Sequence, residues 1–232
     1  MSSLCKAPWM NIQLDVNGTV RPCCRYAQQG RQTKYKMPNI KNGNLEEVWN
    51  DPKMIALRQA FLDGEKPAEC SWCWREEAAG IRSFRDRYNQ REYDVDTSST
   101  YSDLPVMFDL KVSNVCNLKC RMCSPIASSL ILKEEKMLGK KFPEEAYFLS
   151  NKILGTENEK IFFDNLHRVK EIELTGGEPF FSKENKDLLG LIIDSGHAKN
   201  IKLQITTNGT IYDRKTMDRV EQFKNPSMAL SI

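Results

Sequence analysis

Three cysteines in one short run are the residues of this sequence whose spacing points most directly to chemistry. Cys116, Cys120 and Cys123 lie in the run CNLKCRMC, separated by three and then two residues. A structural metal site generally uses four protein ligands, and each iron of a [4Fe–4S] cluster takes a thiolate. Three thiolates leave one iron open to bind a substrate or cofactor, as the open position of a catalytic zinc site does. The run therefore predicts a catalytic iron–sulfur site with one vacant position.

The remaining cysteines favour metal or cluster ligation over disulfides. The chain has eight cysteines, grouped largely in C-x2-C and C-x3-C-x2-C runs, and only two histidines, neither close to a cysteine in sequence. Disulfide frameworks belong to small secreted chains, whereas the start of this sequence lacks the basic and apolar regions of a signal peptide. We therefore expect reduced thiols in the cytoplasm and no histidine-rich zinc site.

Composition argues against several classes of partner. The 232 residues are 40% hydrophobic and 28% charged, which is typical of a soluble globular protein. The net charge of +3 is too small to indicate nucleic acid or an anionic membrane. No apolar run approaches the roughly 18 residues that a membrane span needs. We therefore expect neither a nucleic-acid nor a membrane partner.

The elements that must position the cysteine run alternate between strand and helix. Strands are predicted in VMFDLKVS, EIELTGG, IKLQITTNG and MALSI, with helices in PIASSLILKEEKML, IFFDNLHRV, KENKDLLGLIIDSG and DRKTMDRVEQF. In the first helix, Ser124 is the predicted N-cap and Pro125 the first residue. Repeated strand–helix units imply a parallel sheet whose functional edge lies at the carboxyl ends of the strands. The cysteine run follows the first of these strands, at that edge.

The length of this second half predicts part of a barrel. A closed eight-stranded (β/α) barrel takes roughly 250 residues, and the segment from Cys116 to Ile232 is less than half of that. The fold class is therefore predicted as α/β, a partial TIM-like barrel that is apparently truncated. We expect the chain to be a fragment of a longer protein, with an unpaired sheet edge.

The first half reads as a small α+β unit. NIQLDVNGTVRP alternates apolar residues before Asn17-Gly18, which predicts a hairpin with a type I′ turn. NLEEVWN opens on a capping box from Asn44 to Glu47. PKMIALRQAFLDG has an amphipathic helix pattern. The four arginines of AAGIRSFRDRYNQREY predict a solvated face.

We divide the chain into an auxiliary domain at 1–93, a polar linker at 94–105 and the partial barrel at 106–232.

Three motifs together resemble the radical S-adenosylmethionine (SAM) superfamily. CNLKCRMC resembles its C-x3-C-x2-C signature, LTGGEP resembles its GGEP motif, and ITTNG resembles its next characteristic segment. All three lie at predicted strand ends, where a barrel would gather them. Met122 stands where this superfamily often has an aromatic residue, which leaves the packing beside the adenine open.

The resemblance implies a role for each motif. The [4Fe–4S] cluster would be held by Cys116, Cys120 and Cys123, and the amino and carboxylate groups of SAM would chelate the open iron. Acceptors for the SAM amino group would come from Gly176, Gly177 and Glu178. Hydrogen bonds to SAM are expected from Thr207 and Asn208, unless these residues only orient a loop.

The implied reaction is the reductive cleavage of SAM. An electron from the cluster would give methionine and a 5′-deoxyadenosyl radical, which abstracts hydrogen from a substrate. Beyond the cluster ligands no catalytic residue is assigned, because this first step needs no acid or base from the protein. A reductant protein such as a flavodoxin or ferredoxin is the implied partner, and a peptide or protein the favoured substrate by analogy.

The N-terminal cysteines resemble a second known module. Cys5, Gly18 and Cys23 match the C-x(9–15)-G-x4-C opening of SPASM and twitch domains, and CSWC adds Cys70 and Cys73. Such domains hold auxiliary iron–sulfur clusters, so the resemblance implies an auxiliary [4Fe–4S] cluster on these four cysteines. In most relatives this module follows the barrel, whereas here it precedes the barrel.

The cysteine pattern leaves alternatives open. Cys24 is an alternative ligand to Cys23, and zinc is an alternative to iron–sulfur in the N-terminal site, since four cysteines suit either. For the whole chain the alternatives are a non-catalytic iron–sulfur electron-transfer protein and a zinc-stabilised binding module.

Overall fold

One six-stranded sheet organises the residues that the computed structural model describes, which are 3–27, 37–142 and 155–231. The strands lie in the order β2-β1-β3-β4-β5-β6, and all neighbours are parallel except the antiparallel pair of β1 and β2. Their bounds are β1 (Asn11–Leu14), β2 (Val20–Arg21), β3 (Met107–Lys111), β4 (Glu171–Thr175), β5 (Lys202–Thr207) and β6 (Lys224–Leu230). The α/β class is therefore confirmed, and the sheet is compatible with part of a barrel.

Helices connect the parallel strands. Within the described ranges they are α1 (Ala7–Met10), α2 (Leu45–Trp49), α3 (Pro52–Leu62), α4 (Ser71–Ala78), α5 (Phe84–Asn89), α6 (Ser129–Met137), α7 (Glu157–Asp164), α8 (Lys183–Asp194) and α9 (Arg214–Val220). The capping box from Asn44 to Glu47 forms at the start of α2 as predicted. None of the described helices has the length and apolar character that crossing a membrane requires.

The two faces of the sheet differ in chemistry. One cross-strand row on β1, β3, β4 and β5 is apolar and consists, in register, of Ile12, Phe108, Ile172 and Leu203. This row belongs to the main core, in which Phe108 packs edge-on against Phe162 of α7. The next row is polar and consists, in register, of Gln13, Asp109, Glu173 and Gln204. Strand alternation therefore leaves one polar face that the apolar core does not use.

The two halves of the chain share this sheet and its core. β1 pairs with β3 in parallel, from Asn11 opposite Met107 to Leu14 opposite Leu110. The boundaries at 93 and 106 stay a prediction, but the sheet continues across them.

The predicted linker is tied to the first half by hydrogen bonds. The indole of Trp9 donates to Ser99 O (2.6 Å) and that of Trp49 to Asp103 O (2.7 Å). The buried guanidinium of Arg58 donates to Thr100 O (3.0 Å) and stacks over the Trp49 ring. Composition alone did not indicate that these polar residues supply backbone carbonyls to buried donors.

The predicted hairpin forms, but its turn was predicted wrongly. Asp15 N–H donates to Thr19 O and Gly18 N–H donates to Asp15 O, so the loop has one residue more than a two-residue turn. Gly18 has a φ of +85°, while Asn17 is not among the residues with positive φ. A type I′ turn needs positive φ at both central residues, whereas a three-residue loop needs it only at its final glycine.

The helix after the cysteine run begins later than predicted. α6 starts at Ser129, and its N-cap is Ser128, whose hydroxyl accepts from Ile131 N–H. Ser124 instead opens a turn, in which its carbonyl accepts from the N–H groups of Ala127 and Ser128. The Ser128 hydroxyl also donates to Leu118 O at 2.8 Å, so the cap of α6 supports the cysteine loop.

Candidate functional site

The loop that carries the CNLKCRMC run leaves β3 at the carboxyl edge of the sheet. Cys116 is buried at its start, and Cys120 and Cys123 are exposed. Burial, the neighbouring Cys120 and Cys116 thiols and a hydrogen bond with Cys120 all raise the pKa of the Cys123 thiol. The structure therefore brings the three predicted cysteines together on one open loop. Met122, between two of them, is fully exposed and packs against nothing.

Side chains and backbone of α6 hold the base of this loop. Cys116 N–H donates to the Ser129 hydroxyl (3.3 Å), and Ser129 N–H donates to Asn114 O (2.8 Å). Leu118 N–H points at the Cys116 sulfur at 3.4 Å. Donors of this kind stabilise a thiolate and tune the potential of a bound cluster.

The glycine pair at the end of β4 packs directly on the cysteine loop. Gly176 and Gly177 have φ values of +79° and +51°. A Cβ on Gly177 would overlap the Val115 carbonyl oxygen and lie 2.9 Å from the Asn114 carbonyl carbon. The following N–H, that of Glu178, donates to Val115 O at 2.9 Å. Only glycine permits both the backbone angle and this approach.

The carboxylate of Glu178 connects this turn to the end of β5. The side chain is fully buried, and it accepts from Thr207 Oγ1 (2.7 Å), Asn208 N–H (2.7 Å) and Phe180 N–H (3.1 Å). Thr207 is also buried, at 2% exposure. Direct contacts of Glu178 and Thr207 with a ligand stay a prediction. Their observed partners make them supports that fix the glycine turn against β5.

Asn208 extends the same network to the cysteine loop. Its Nδ2 donates to Asn117 Oδ1 at 3.0 Å, and the Asn117 amide donates to Thr210 Oγ1 at 2.9 Å. The three sequence motifs thus meet at one edge, joined by hydrogen bonds.

The second set of thiols lies in a narrow, mostly apolar pocket. Four cysteines line it together with aromatic and arginine side chains, and these cysteines are Cys5, Cys23, Cys70 and Cys73. Cys5 precedes α1, and Cys23 follows β2. Cys70 stands at the start of α4, and Cys73 lies within that helix. Tertiary folding, not sequence proximity, brings these four sulfurs together.

Burial controls the protonation of the pocket thiols. It raises the pKa of Cys5 to about 12 and the pKa of Cys23 and of Cys70 well above the usual thiol value. Backbone N–H groups partly offset burial: Ala7 bonds to Cys5, and Phe84 and Arg85 bond to Cys73. Free thiols here are neutral, and a metal centre must displace their protons when it binds.

Cys24 lies outside this pocket, although it is adjacent to Cys23. Burial and then the carboxylates of Asp109 and Glu173 raise its thiol pKa to about 11. Cys24 therefore neighbours the polar face of the sheet, while Cys23 lines the four-cysteine pocket.

Arg85, predicted to lie on a solvated face, is instead buried beside the pocket. Its guanidinium donates to both carboxylate oxygens of Glu77 (2.8 and 2.7 Å) and to Leu4 O (2.9 Å). It also lies over the Trp74 ring at 5.0 Å. The prediction was wrong for this arginine, because a half-buried carboxylate partner and an aromatic ring replace water around it.

The acidic side chains of the polar face were not predicted from the sequence. Asp109 and Glu173 lie opposite each other on β3 and β4, and burial raises both pKa values, that of Glu173 to about 7. A signal was present, since FDL and IEL each place a carboxylate between two apolar residues of a strand.

Both cysteine sets have donor chemistry that fits iron–sulfur ligation. Three thiols share an open loop, and four share a pocket into which backbone N–H groups point. Throughout the described ranges, no three His, Cys, Asp or Glu side chains form a group preformed for a single metal ion.

Family models match the chain in two segments. The model of the radical SAM superfamily matches residues 110–232, more than half of the chain. The model of SPASM, an iron–sulfur cluster-binding domain, matches residues 5–74. The first segment contains the open loop and the glycine pair, and the second contains all four pocket cysteines.

Two named proteins are similar to parts of this chain. The sporulation killing factor maturation protein SkfB of Bacillus subtilis (strain 168) is 30% identical over 138 residues, which are 59% of this chain and 28% of that protein. Molybdenum cofactor biosynthesis protein 1 of Dictyostelium discoideum is 31% identical over 114 residues, 49% of this chain and 15% of that protein. The chain thus matches less than a third of either relative's length.

Proposed function

The chain belongs to the radical SAM superfamily and has a SPASM-like N-terminal domain, and from this we propose that it cleaves SAM reductively at a cluster held by its three-cysteine loop. When bound, a [4Fe–4S] cluster with one open iron supplies the electron that splits the sulfonium into methionine and a 5′-deoxyadenosyl radical. The observation that carries this proposal is the meeting of the open cysteine loop, the glycine turn and the end of β5 at one edge of the sheet.

The chain's own residues bind and orient. Cys116, Cys120 and Cys123 are the proposed cluster ligands, and the exposure of the last two leaves the approach to the cluster open. The proposed acceptors for the SAM amino group are the backbone carbonyls of Gly176 and Gly177, because a glycine has no side chain of its own to keep a ligand from its backbone.

The side chains of the network hold this backbone in place. Glu178 and Thr207 fix the glycine turn, and Asn208 fixes the cysteine loop through Asn117. We propose that Glu178 acts mainly through this support, and that Thr207 and Asn208 contact SAM through acceptor atoms that the network leaves unused.

A second cluster is proposed in the N-terminal pocket. The SPASM domain implies an auxiliary iron–sulfur cluster, and Cys5, Cys23, Cys70 and Cys73 are its proposed ligands because they line one pocket. Four thiolates saturate a [4Fe–4S] cluster, so this site holds no open iron.

The substrate is proposed by analogy with a relative. SkfB is named for the maturation of a sporulation killing factor, and we propose that this chain likewise modifies a peptide or protein. The proposed electron source is a reductant protein such as a flavodoxin or ferredoxin, and the proposed compartment is the reducing cytoplasm.

The test is SAM cleavage by the anaerobically reconstituted chain. With dithionite and SAM, we expect 5′-deoxyadenosine from the wild type and from the Cys24→Ala control, but none from a variant with Cys116, Cys120 and Cys123 all replaced by Ala. Iron should fall from about eight to about four atoms per chain in that variant.

Two results would reject the proposal. One is wild-type protein with full iron that forms no 5′-deoxyadenosine and whose electron paramagnetic resonance spectrum ignores SAM, as expected of a plain electron carrier. The other is cleavage that survives in the triple variant.

A further inference from the structure

The segment that carries the cysteine loop and α6 concentrates positive charge. Residues 116–142 contain six lysine or arginine side chains and two glutamates, which gives them a net charge of +4. The whole chain has a net charge of +3, so all other residues together are slightly acidic. The excess of positive charge therefore belongs to this segment.

Both glutamates of the segment are paired within it. Glu134 accepts from Lys119 of the cysteine loop at 2.6 Å, and Glu135 accepts from Lys140 at 2.8 Å. These two pairs leave the other cations of the segment in excess.

Three of the cations in excess are exposed to solvent. Arg121 lies on the cysteine loop, Lys133 on α6 and Lys141 shortly after that helix. Among the ion pairs of the described residues, none includes any of the three. Their charges are therefore available to a molecule that approaches from outside.

Exposed apolar side chains accompany these cations. Met137 and Leu138, at the end of α6, are 79% and 75% exposed. Leu130 is exposed as well, and its spacing of three residues to Lys133 and seven to Met137 places all three on one side of the helix. The buried Leu132 lies on the other side. Apolar side chains bordered by charge are typical of protein–protein contact surfaces.

The loop and this side of α6 adjoin each other. Glu134 follows Leu130 by four residues, so it lies on the same side of the helix, and its carboxylate reaches Lys119 of the loop. The Ser128 hydroxyl, at the N-cap of α6, fixes the loop to the helix through Leu118 O. We call the resulting surface the cationic face, and its residues are Arg121, Leu130, Lys133, Met137, Leu138 and Lys141.

The cationic face is distinct from the edge where SAM is proposed to bind. The glycine turn packs on Asn114 and Val115, and Asn208 donates to Asn117. These contacts all go to the start of the loop, before Cys120. The face uses the later part of the segment, so a partner on it borders the loop and leaves the SAM edge unoccupied.

A partner at this place could supply the electron that the proposed reaction consumes. Cleavage of SAM needs one electron, which another molecule must deliver to the cluster. Arg121 directly follows Cys120, an exposed proposed ligand, so a donor on the face lies beside the cluster. An apolar centre with excess positive charge is complementary to an acidic protein.

We propose that the cationic face docks an acidic electron-donor protein of the flavodoxin kind. One electron passes from the anionic flavin hydroquinone, which becomes the neutral semiquinone, to the cluster, which is reduced by one electron, and no proton or covalent bond is transferred. The inference rests on the proposed function, because it places the electron source beside the proposed cluster.

Charge reversal tests the docking. The face variant carries Lys133→Glu and Lys141→Glu. The control carries Lys170→Glu and Lys199→Glu, the same charge change at exposed lysines just before β4 and β5, at the opposite edge of the sheet. With a reduced acidic flavodoxin, the concentration that gives half-maximal 5′-deoxyadenosine formation should rise about tenfold or more in the face variant and less than about twofold in the control.

Binding measured without SAM tests the surface separately from the reaction. By calorimetry with oxidised flavodoxin, we expect the face variant of the reconstituted chain to bind about tenfold or more weakly than the wild type and the control. Raising the salt from about 50 to about 300 mM should weaken the wild type more than the face variant, because salt screens charges that only the wild type has.

Dithionite separates this inference from the proposed function. With dithionite as the reductant, both variants should form 5′-deoxyadenosine at the wild-type rate, since a small reductant does not need the face. Absence of product from the wild type under these conditions would reject the proposed function, while the calorimetry would still decide the docking.

Three results would overturn the inference. One is flavodoxin binding that is the same in the face variant and the control, and another is loss of the dithionite-driven rate in the face variant. The third is binding to phosphatidylserine vesicles that needs Lys133 and Lys141 while flavodoxin binding does not, which would assign the face to a membrane. Should the face variant fail to fold, the double variant Lys133→Gln and Lys141→Gln decides by the same measurements.

Discussion

Cys5, Cys23, Cys70 and Cys73 are spread between residues 5 and 73 and converge in an apolar pocket, whereas Cys116, Cys120 and Cys123 lie on one loop with two thiols exposed. The pocket needs α1, β2 and α4 to be in place before its sulfurs meet. The loop brings its sulfurs together by sequence spacing alone. A centre in the pocket is therefore coupled to folding, and a centre on the loop is coupled to what approaches from outside.

The surroundings of the two sets strengthen this contrast. Aromatic rings and Arg85 enclose the pocket, whereas Met122 on the loop is fully exposed. A saturated, enclosed centre contributes stability and an electron path, while an open iron contributes reactivity. The number of cysteines alone therefore does not distinguish a saturated centre from a reactive one. The exposure of the cysteines is needed as well.

The largest expected effect is on stability, and it separates the sites directly. Replacing Cys70 and Cys73 with Ala removes half of the pocket ligands. We expect the free energy of unfolding to fall by about 5 kcal/mol or more and the unfolding temperature to fall by more than about 10 °C. Replacing Cys120 and Cys123 with Ala should lower that temperature by less than about 3 °C. Differential scanning calorimetry of the reconstituted proteins measures both, and equal falls would break the comparison.

The next prediction sharpens the boundary of the pocket. Cys23→Ala should lose the auxiliary cluster, about four irons per chain, while Cys24→Ala should keep it, because Cys24 neighbours Asp109 and Glu173 and lies outside the pocket. Iron analysis and the visible spectrum decide. Loss of iron in Cys24→Ala, with retention in Cys23→Ala, would reverse the assignment.

The sequence predicted the loop better than it predicted the pocket, for a physical reason. The spacing of Cys116, Cys120 and Cys123 is local, so it survives in any fold that exposes the loop. The pocket depends on contacts between distant segments, and only a resemblance to a known module grouped its four cysteines. The choice between Cys23 and Cys24 needed the direction in which each side chain points.

The elements were largely predictable, but their interactions with distant residues were not. The alternation of strands and helices predicted β3, β4 and β5 and the second half of β6, which begins at Lys224 and not at Met228. The capping box predicted the start of α2. The start of α6 was wrong because Ser128, not Ser124, has a partner in the cysteine loop. The solvated face was wrong at Arg85 because Glu77 and Trp74 surround it.

A smaller effect tests how the open loop is positioned. In Gly177→Ala the new Cβ would overlap Val115 O. We expect the free energy of unfolding to fall by about 3 kcal/mol. We also expect SAM to bind about tenfold or more weakly. Gly196→Ala is the matched control: Gly196 has a similar positive φ of +77°, and a Cβ there meets nothing within 4 Å. It should cost only about 1 kcal/mol, from the backbone angle alone.

Urea unfolding and SAM titration measure the two glycine variants. If both lose the same stability and neither changes SAM binding, the turn does not position the loop. The contrast between an open loop that is held by packing and a pocket that is held by its ligands would then fail.

The smallest effect concerns the polar face, which borders Cys24 on one side and the glycine turn on the other. Burial and Asp109 raise the Glu173 pKa to about 7 from 4.5. The folded state thus binds this proton more tightly than the unfolded state, so the free energy of unfolding falls as pH rises from about 4.5 to about 7 and levels off above. Glu173→Gln should remove this fall. At pH 8 the free energy of unfolding of the variant should therefore exceed that of the wild type by about 2 kcal/mol.

Urea unfolding across pH 5 to 8, with Glu221→Gln as control, measures the difference. A wild-type minus variant curve that stays flat would mean that the charges of Arg91 and Lys111 fully offset the burial of Glu173. The carboxylate would then be a satisfied part of the fold, like the half-buried Glu77 that pairs with Arg85 beside the pocket. A curve that falls through this window instead means that burial and the Asp109 charge outweigh the charges of Arg91 and Lys111 at Glu173.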